Sequence, residues 1–430
     1  MEYNTVRFID LFCGLGGIRI GFENALSKHN LNKKCVLSSD IKKQAAKTYK
    51  INFKEEVFGD IREINTSTLP SFDFLLAGFP CQAFSSAGKR MGFEDTRGTL
   101  FFEVARILSD KSPSAFILEN VEGLIKHDNG DTLTTILKAL SEVGYDTSWE
   151  LLNSKNFGLA QSRNRIYIAG TRKNLNINTK EAFKFTTTFN KTTFNDIRDF
   201  DLPIKDSKLN AILKSHFKNL DLLGGKCIRD KRGGNNNLHS WDLGLKGEVS
   251  IKQKELMNLL ATKTKHKQWA DQNGTAWFEG IPLSLEQIKS FVNYPEIKSD
   301  LDNLVNKGYL KMEHPKDYVN IEGKRTKVSR VDLPLGYRLF SGKLSFEFSK
   351  ILNNNITPAI VATDASHLGV IEKDGLRQLS VTELKKLFGF PLDYKTDHLT
   401  KEVCFDLFGN SVAVNVIEHI SDNLIKLLKY

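Results

Sequence analysis

The stretch Phe8-Ile9-Asp10-Leu11-Phe12-Cys13-Gly14-Leu15-Gly16-Gly17 runs an apolar strand into three glycines, and helical spacing follows from Ile18 to Leu26. A strand, a glycine turn and a helix in that order point the chain toward an α/β architecture, with the turn at the carboxyl end of a parallel strand. Glycines let the backbone turn tightly and approach a ligand closely, which suits an adenosine-containing cofactor; a tight turn with no ligand is the plainer alternative. The third glycine comes too early for dinucleotide spacing, which argues against a nicotinamide cofactor. Asp40 ends the next apolar segment, Cys35-Val36-Leu37, about where a ribose hydroxyl would find a partner.

Three more strand ends carry chemistry. The run Phe72 to Ala77 leads into Gly78-Phe79-Pro80-Cys81-Gln82. A cysteine at such a strand end is a candidate nucleophile, the alternative being a buried thiol that acts as a small hydrophobe. Ala115 to Leu118 leads into Glu119-Asn120-Val121, and Gln161-Ser162-Arg163-Asn164-Arg165-Ile166 places two arginines on the same side of a strand. Alternation of apolar runs with helical patterns over residues 6 to 172 predicts a mostly parallel sheet covered on both faces.

In this order the glycine turn, Pro80-Cys81, Glu119-Asn120-Val121 and Gln161-x-Arg163-x-Arg165 resemble the DNA (cytosine-5) methyltransferases. Arg377-Gln378-Leu379-Ser380, Phe388-Gly389-Phe390-Pro391 and Phe408-Gly409-Asn410-Ser411-Val412 are similar to that family's last motifs, so the resemblance covers roughly residues 6 to 172 and 376 to 422. It implies a Rossmann-like S-adenosylmethionine-dependent methyltransferase domain with an inserted target-recognition domain. The expected division is 1–190 for catalysis and cofactor, 191–376 for target recognition and 377–430 for the return segment, whose last helix (about Val412 to Leu428) packs back on the first domain.

The chemistry explains the company these residues keep. Cytosine carbon 5 is a poor nucleophile until something adds to carbon 6, and a thiolate both adds and leaves well. The resemblance assigns that role to Cys81, held by Pro80. A free thiol titrates near about 8.5, so a cation or helix amino terminus is expected to lower it. Negative charge then spreads to ring nitrogen 3, where the resemblance implies Glu119 as donor. A carboxyl donates only while protonated, and its reference pKa is about 4.3, so burial must raise it.

Arg165 is expected at the oxygen on carbon 2, with Arg163 holding the catalytic loop or a phosphate. For the cofactor the family pattern implies Phe12 against the adenine and Gly14, Gly16 and Gly17 around the methionine end. Asp40 is implied on the ribose and Asp60 at the adenine amino group, with Asn410 and Ser411 closing the pocket. The family more often has Glu at position 40 and an aromatic residue at position 41, where this chain has Asp40 and Ile41. The base that removes the carbon-5 proton is unassigned, a water included. Flipping the base out needs a closing loop, and Ser85 to Gly98, with Lys89, Arg90 and Arg97, fits that place.

The formal net charge of +10 is uneven, for residues 205 to 350 carry +9 of it (26 Lys and Arg against 17 Asp and Glu). Concentrated positive charge marks a polyanion partner, here duplex DNA. Lys231-Arg232-Gly233-Gly234-Asn235 joins charge and amides on a flexible backbone, and two short helices followed by a basic extended segment are compatible with a winged helix near 283–330, the alternative being a plain helical insertion that only packs on the scaffold. Five scattered cysteines without metal-ligand spacing argue for a reducing compartment, no disulfide framework and no metal site. No run of about 18 apolar residues or leader is found, so a cytoplasmic protein, without a membrane and acting as a monomer, is expected.

The leading expectation is the modification enzyme of a restriction system, acting beside a separate endonuclease. Two alternatives stay open at this stage, a methyltransferase acting on transfer RNA and a catalytically silent DNA-binding protein on the same fold. A nicotinamide oxidoreductase finds no substrate base or hydride-binding residues here.

Overall fold

The first strand, β1 (Thr5–Leu11), splits its side chains between two cores: Val6 and Phe8 enter one apolar cluster, Ile9 and Leu11 the other. The computed structural model describes residues 5–80, 100–185, 191–204, 206–321, 324–340 and 346–430. Cys81, Ser85, Lys89, Arg90 and Arg97 lie outside the described residues.

After β1 come α1 (Gly17–Lys28), β2 (Asn32–Ser39), α2 (Lys43–Phe53), β3 (Phe74–Gly78), α3 (Leu100–Lys111), β4 (Ala115–Val121) and α4 (Asp131–Glu142). Then follow β5 (Tyr145–Asn153), β6 (Gln161–Ser162), β7 (Asn164–Arg172) and the short α5 (Phe194–Ile197). The sheet runs β2-β1-β3-β4-β7-β5. β1, β2, β3 and β4 are parallel, and β7 joins antiparallel to both β4 and β5. β3 is all but fully buried, which is why it reads as a continuous apolar run rather than an alternating one. The order reverses beside β1, so the ends of β1 and β3 flank the crevice where such sheets bind ligands.

A second compact unit spans residues 201–353 and 367–378. It holds α6 (Lys208–His216), β8 (Cys227–Ile228), β9 (Asn237–Leu238), α7 (Ile251–Lys263), α8 (Gln268–Asn273), α9 (Leu285–Lys289) and α10 (Ile297–Asn306). Beyond these lie β10 (Leu310–Glu313), β11 (Lys316–Ile321), β12 (Lys324–Ser329), β13 (Gly336–Leu339) and β14 (Lys350–Ile351). α7 and α9 each open on a capping box, Ser250 with Gln253 and Ser284 with Gln287, which satisfies amide donors that a bare helix start leaves free. Leu256, Met257, Leu260, Ile288, Leu301 and Leu304 form a core of this unit's own.

The chain then passes to the first unit at β15 (Thr357–Pro358), which pairs with β6, and back to the second at β16 (Leu368–Glu372) and β17 (Gly375–Gln378). β17, β16, β14, β8 and β9 form one sheet. The last helices, α11 (Val381–Phe388), α12 (Lys401–Gly409) and α13 (Val414–Leu428), belong to the first unit. α13 buries Ile417, Ile420, Leu424 and Ile425 against α1, each aliphatic side chain worth about 1.5–3 kcal/mol. No helix among the described residues is long and apolar enough to cross a membrane.

Candidate active site

The turn after β1 is wound through positive φ at Phe12 (54°), Gly14 (52°) and Gly16 (76°), which starts α1 abruptly at the sheet edge. Asp40, at the end of β2, ties this turn to its own, for one carboxylate oxygen accepts from the Gly14 amide at 2.9 Å and the other from the Lys42 amide at 2.7 Å. Gly17 lies so close to the carboxyl-terminal segment that a Cβ would stand 2.9 Å from Val412 Cγ2 and 3.0 Å from Ser411 Oγ. These turns line a cleft of about 850 Å³ in the first unit.

Among the residues singled out from the sequence, Phe12, Gly14, Gly17, Asp40, Asp60, Pro80, Glu119, Arg163, Arg165, Asn410 and Ser411 all line this cleft. Gly16 does not. A Cβ there would meet Phe53 Cε2 at 2.4 Å, so the turn itself requires its hydrogen and positive φ. The carboxylate of Asp60 is turned to Arg62, whose Nε sits 3.0 Å from each oxygen, and this pairing holds its pKa down at about 2. Asn410 hydrogen-bonds Asp406 through its amide at 2.9 and 3.1 Å. Ile41 stands on the rim, 74% exposed, and Val361 and Ala362 close another wall. These last two carry no polar group by which a sequence would announce them.

Asp10 lies beneath the turn, fully buried, accepting from the Tyr49 hydroxyl at 3.1 Å, which in turn accepts from Arg19 and Ser38. Burial pushes its pKa up to about 7 against the pull of Arg19. A carboxyl so raised keeps a proton in the fold that the unfolded chain loses from about pH 4 upward, so stability falls as the pH rises across that window. Asp10→Asn, which copies the protonated form, is expected to stabilise by about 4 kcal/mol at pH 8 and roughly half that at pH 5.5. Urea melts at the two pH values measure this, and an equal effect at both would contradict it.

Glu119, two residues before the end of β4, pairs with Gly78, which ends β3. Its side chain is nearly enclosed, and Arg165 Nε, diagonal to it on β7, stands 3.0 Å from Oε1 in an ion pair lacking hydrogen-bond alignment. That oxygen is buried with no hydrogen-bond partner among the described residues. Burial raises the carboxyl's pKa, with Arg165 and then Arg163 opposing. The site therefore favours a proton on Glu119 while keeping cations at hand. Asn120, quoted in the motif but given no role from sequence, donates to the Phe79 carbonyl at 2.8 Å and so fixes the backbone that leads through Pro80 to position 81.

The Arg163 guanidinium donates to the carbonyls of Ile360 and Ser411 at 2.7 Å and of Gly409 at 3.3 Å, over the Phe388 ring. It lies in the break between β6 and β7, 2% exposed, and burial lowers its pKa to about 10. It is a clamp that sets the 409–411 wall of the cleft. Arg163→Met leaves buried carbonyls unpaired and should cost roughly 3–5 kcal/mol of stability, with weaker binding of S-adenosylhomocysteine. Denaturant melts and calorimetry check both, and Arg163→Lys should recover only part because a lone ammonium cannot span three carbonyls.

Lys231, Arg232 and Asn235 occur elsewhere, exposed on the β8–β9 loop of the second unit. No group of three metal-ligating side chains occurs among the described residues.

A mostly parallel sheet whose strand ends gather a glycine turn, two acidic candidates for a nucleoside's ribose and base, and a buried carboxyl–guanidinium pair defines a group-transfer enzyme using a nucleoside cofactor. A family model described as "C-5 cytosine-specific DNA methylase" matches residues 6–426. The type II methyltransferase M.NlaIV of Neisseria lactamica is 48% identical, over 98% of this chain and 99% of its own. M.BanI of Aneurinibacillus aneurinilyticus is 40% identical, over 97% and 95%. The solved S. pombe Dnmt2 methyltransferase shares the fold with a TM-score of 0.55 at 15% identity, over 99% of this chain and 100% of that one. The chain belongs to the C-5 cytosine-specific DNA methylase family. Its activity is S-adenosylmethionine-dependent methylation of DNA at cytosine carbon 5.

Proposed function

We propose that Cys81 and Glu119 carry this reaction on a cytosine flipped out of duplex DNA, in a restriction-modification system. The observation behind the assignment is the buried Glu119 carboxyl, its pKa raised by burial and Arg165 beside it, set in the cleft with the Phe79 backbone that Asn120 holds ahead of Pro80. Cys81 adds to carbon 6, Glu119 donates its proton to ring nitrogen 3 as charge develops there, and Arg165 meets the oxygen on carbon 2. Carbon 5 gains electron density and accepts the methyl group. A base, a water included, takes the carbon-5 proton, Cys81 leaves as thiolate, and the proton on nitrogen 3 returns to Glu119. Arg163 acts by position, through the 409–411 wall.

S-adenosylmethionine, when bound, supplies the electrophilic methyl carbon. The cleft suits it: the acidic groups Asp40 and Asp60 answer hydroxyl and amino donors, and Phe12 and Ile41 offer apolar surface. Gly14 leaves its side open, for a Cβ there would meet only the Phe12 carbonyl oxygen, at 4.0 Å. Asn410 and Ser411 complete the rim. The carboxylate of Asp60 must share itself between Arg62 and the adenine amino group.

The second unit holds Lys231, Arg232 and Asn235 for target recognition, and Ser85, Lys89, Arg90 and Arg97 belong to the loop that closes on DNA. Action as a monomer, beside a separate endonuclease and in the cytoplasm, belongs to the same reading. Labelled methyl transfer, run side by side on duplex DNA and transfer RNA, tests the reading: 5-methylcytosine should appear in the DNA, and label confined to the RNA would overturn it. Methylation sequencing of DNA from expressing cells then maps the site.

A further inference from the structure

Between α7 and β13 the second unit has the connectivity of a winged helix. Helix α7, a bridging strand residue at Leu283, α9, α10, β10, the hairpin β11–β12 and β13 follow in that order, and Leu283 and β10 both pair with β13. In such modules the second helix of the pair ordinarily enters the major groove. Here α10 is poorly suited to that task. Lys298 is paired with Asp302 at 2.7 Å, Asp300 accepts from Gln253 and Tyr294, and Asp302 also accepts from Tyr337. Its one lysine is spent, and its carboxylates would face phosphates.

The hairpin carries positive charge on one face. The register pairs Lys316 with Ser329, Tyr318 with Lys327 and Asn320 with Arg325, so Lys316, Tyr318, Asn320, Arg325 and Lys327 share one face. The Arg325 guanidinium lies 4.4 Å from the Tyr318 ring centre, and the Lys327 ammonium 3.3 Å from that of Phe278. Rings hold these cations without neutralising them. Neither has a carboxylate partner among the described residues.

Contacts carry this face onward. Trp277, next to Phe278, is 50% exposed and donates its ring N–H to the Lys265 carbonyl at 3.0 Å. Lys265 pairs with Glu279 at 3.1 Å, and the Glu279 carboxyl, held below its usual range first by Lys265, also lies in the field of Arg232 and Lys231. The loop bearing those two is pre-set: Asn237 donates to the Gly233 carbonyl at 2.9 Å, Lys226 to that of Asn235 at 2.8 Å, and the buried His239 ring is 2.8 Å from that of Arg232. Lys327 over Phe278 joins the hairpin to the Trp277 segment, and Lys231 and Arg232 stand within electrostatic reach of Glu279 two residues on.

We propose that this unit meets duplex DNA with its wing rather than with α10: Arg325 and Lys327 pair with backbone phosphates, Lys231 and Arg232 extend the same track, and Trp277 presses its ring on the nucleic acid between them. The proposal rests on the reading of this protein as a duplex-DNA methyltransferase. Binding of the full-length protein to a duplex of about 30 base pairs carrying a mapped site, followed by fluorescence anisotropy across salt concentrations, tests it. Arg325→Gln/Lys327→Gln should bind more weakly and lower the slope of log affinity against log salt by about 2, since each phosphate contact contributes about 0.9. Trp277→Ala should weaken binding and leave the slope in place, while Lys298→Ala/Asn303→Ala should bind as the parent does. Melting temperature and S-adenosylhomocysteine binding should not move in any of them. An unchanged slope in the hairpin variant, or an equal loss in the α10 variant, would overturn the proposal. Methyl transfer by the parent protein separates the two readings: if it methylates the duplex and the slope is unchanged, only the wing fails, whereas no transfer to any DNA removes the reading beneath it.

Discussion

Cys81→Ser is expected to abolish covalent capture of a duplex containing 5-fluorocytosine and to lower methyl transfer by roughly 10⁴-fold or more, as loss of a covalent nucleophile does elsewhere. Fluorine at carbon 5 cannot leave as a proton does, so the parent enzyme stalls with its sulfur bonded to carbon 6. A serine hydroxyl in that place is far too weak an acid to add at neutral pH. Denaturing gels with labelled duplex and cofactor read the adduct directly, and binding of S-adenosylhomocysteine should be unaltered in the variant. Adduct formed by Cys81→Ser, or none by the parent protein on DNA that it methylates, would remove Cys81 from the mechanism.

Glu119→Ala should lower the rate of methyl transfer by about 10²–10³-fold, the usual cost of losing one donor aimed at developing charge. The pH dependence is the sharper test. Burial raises the carboxyl's pKa, and the group donates only when protonated, so its contribution is present below that pKa and lost as the pH rises through it. A Cys81 thiolate runs the other way, gaining as the pH rises. Together they make a bell, and Glu119→Gln, whose amide donates at every pH, should flatten the alkaline limb while remaining slower than the parent. Single-turnover rates between about pH 6 and 9 measure it; an alkaline limb that survives Glu119→Gln would assign that limb to another group.

Much of the site was legible because its chemistry sits at strand ends, where residue type and position in the chain coincide. β1, β3 and β4 run apolar into Gly14, Pro80 and Glu119, and in a parallel sheet such ends converge on one edge. Gly16 is harder to read for the opposite reason, since a glycine demanded by φ and one demanded by a ligand are written with the same letter. Arg163 and Arg165 look equivalent as neighbours on a strand, but one falls in the break between β6 and β7 and turns into the interior, and the other stays on β7 facing Glu119. Asn120 shows a third kind of gap, a motif residue whose use depends on a carbonyl 41 positions away.

Local order therefore determined the α/β sheet, the candidate chemistry and the family, because strand, turn and helix signals act over a few residues and the motifs keep their order along the chain. Only tertiary structure decided that Arg163 clamps three carbonyls, that Val361 and Ala362 wall the cleft, and that Lys316, Arg325 and Lys327 share one face of β11–β12. Those outcomes depend on long-range packing and strand register, which bring together atoms that no spacing in the chain relates.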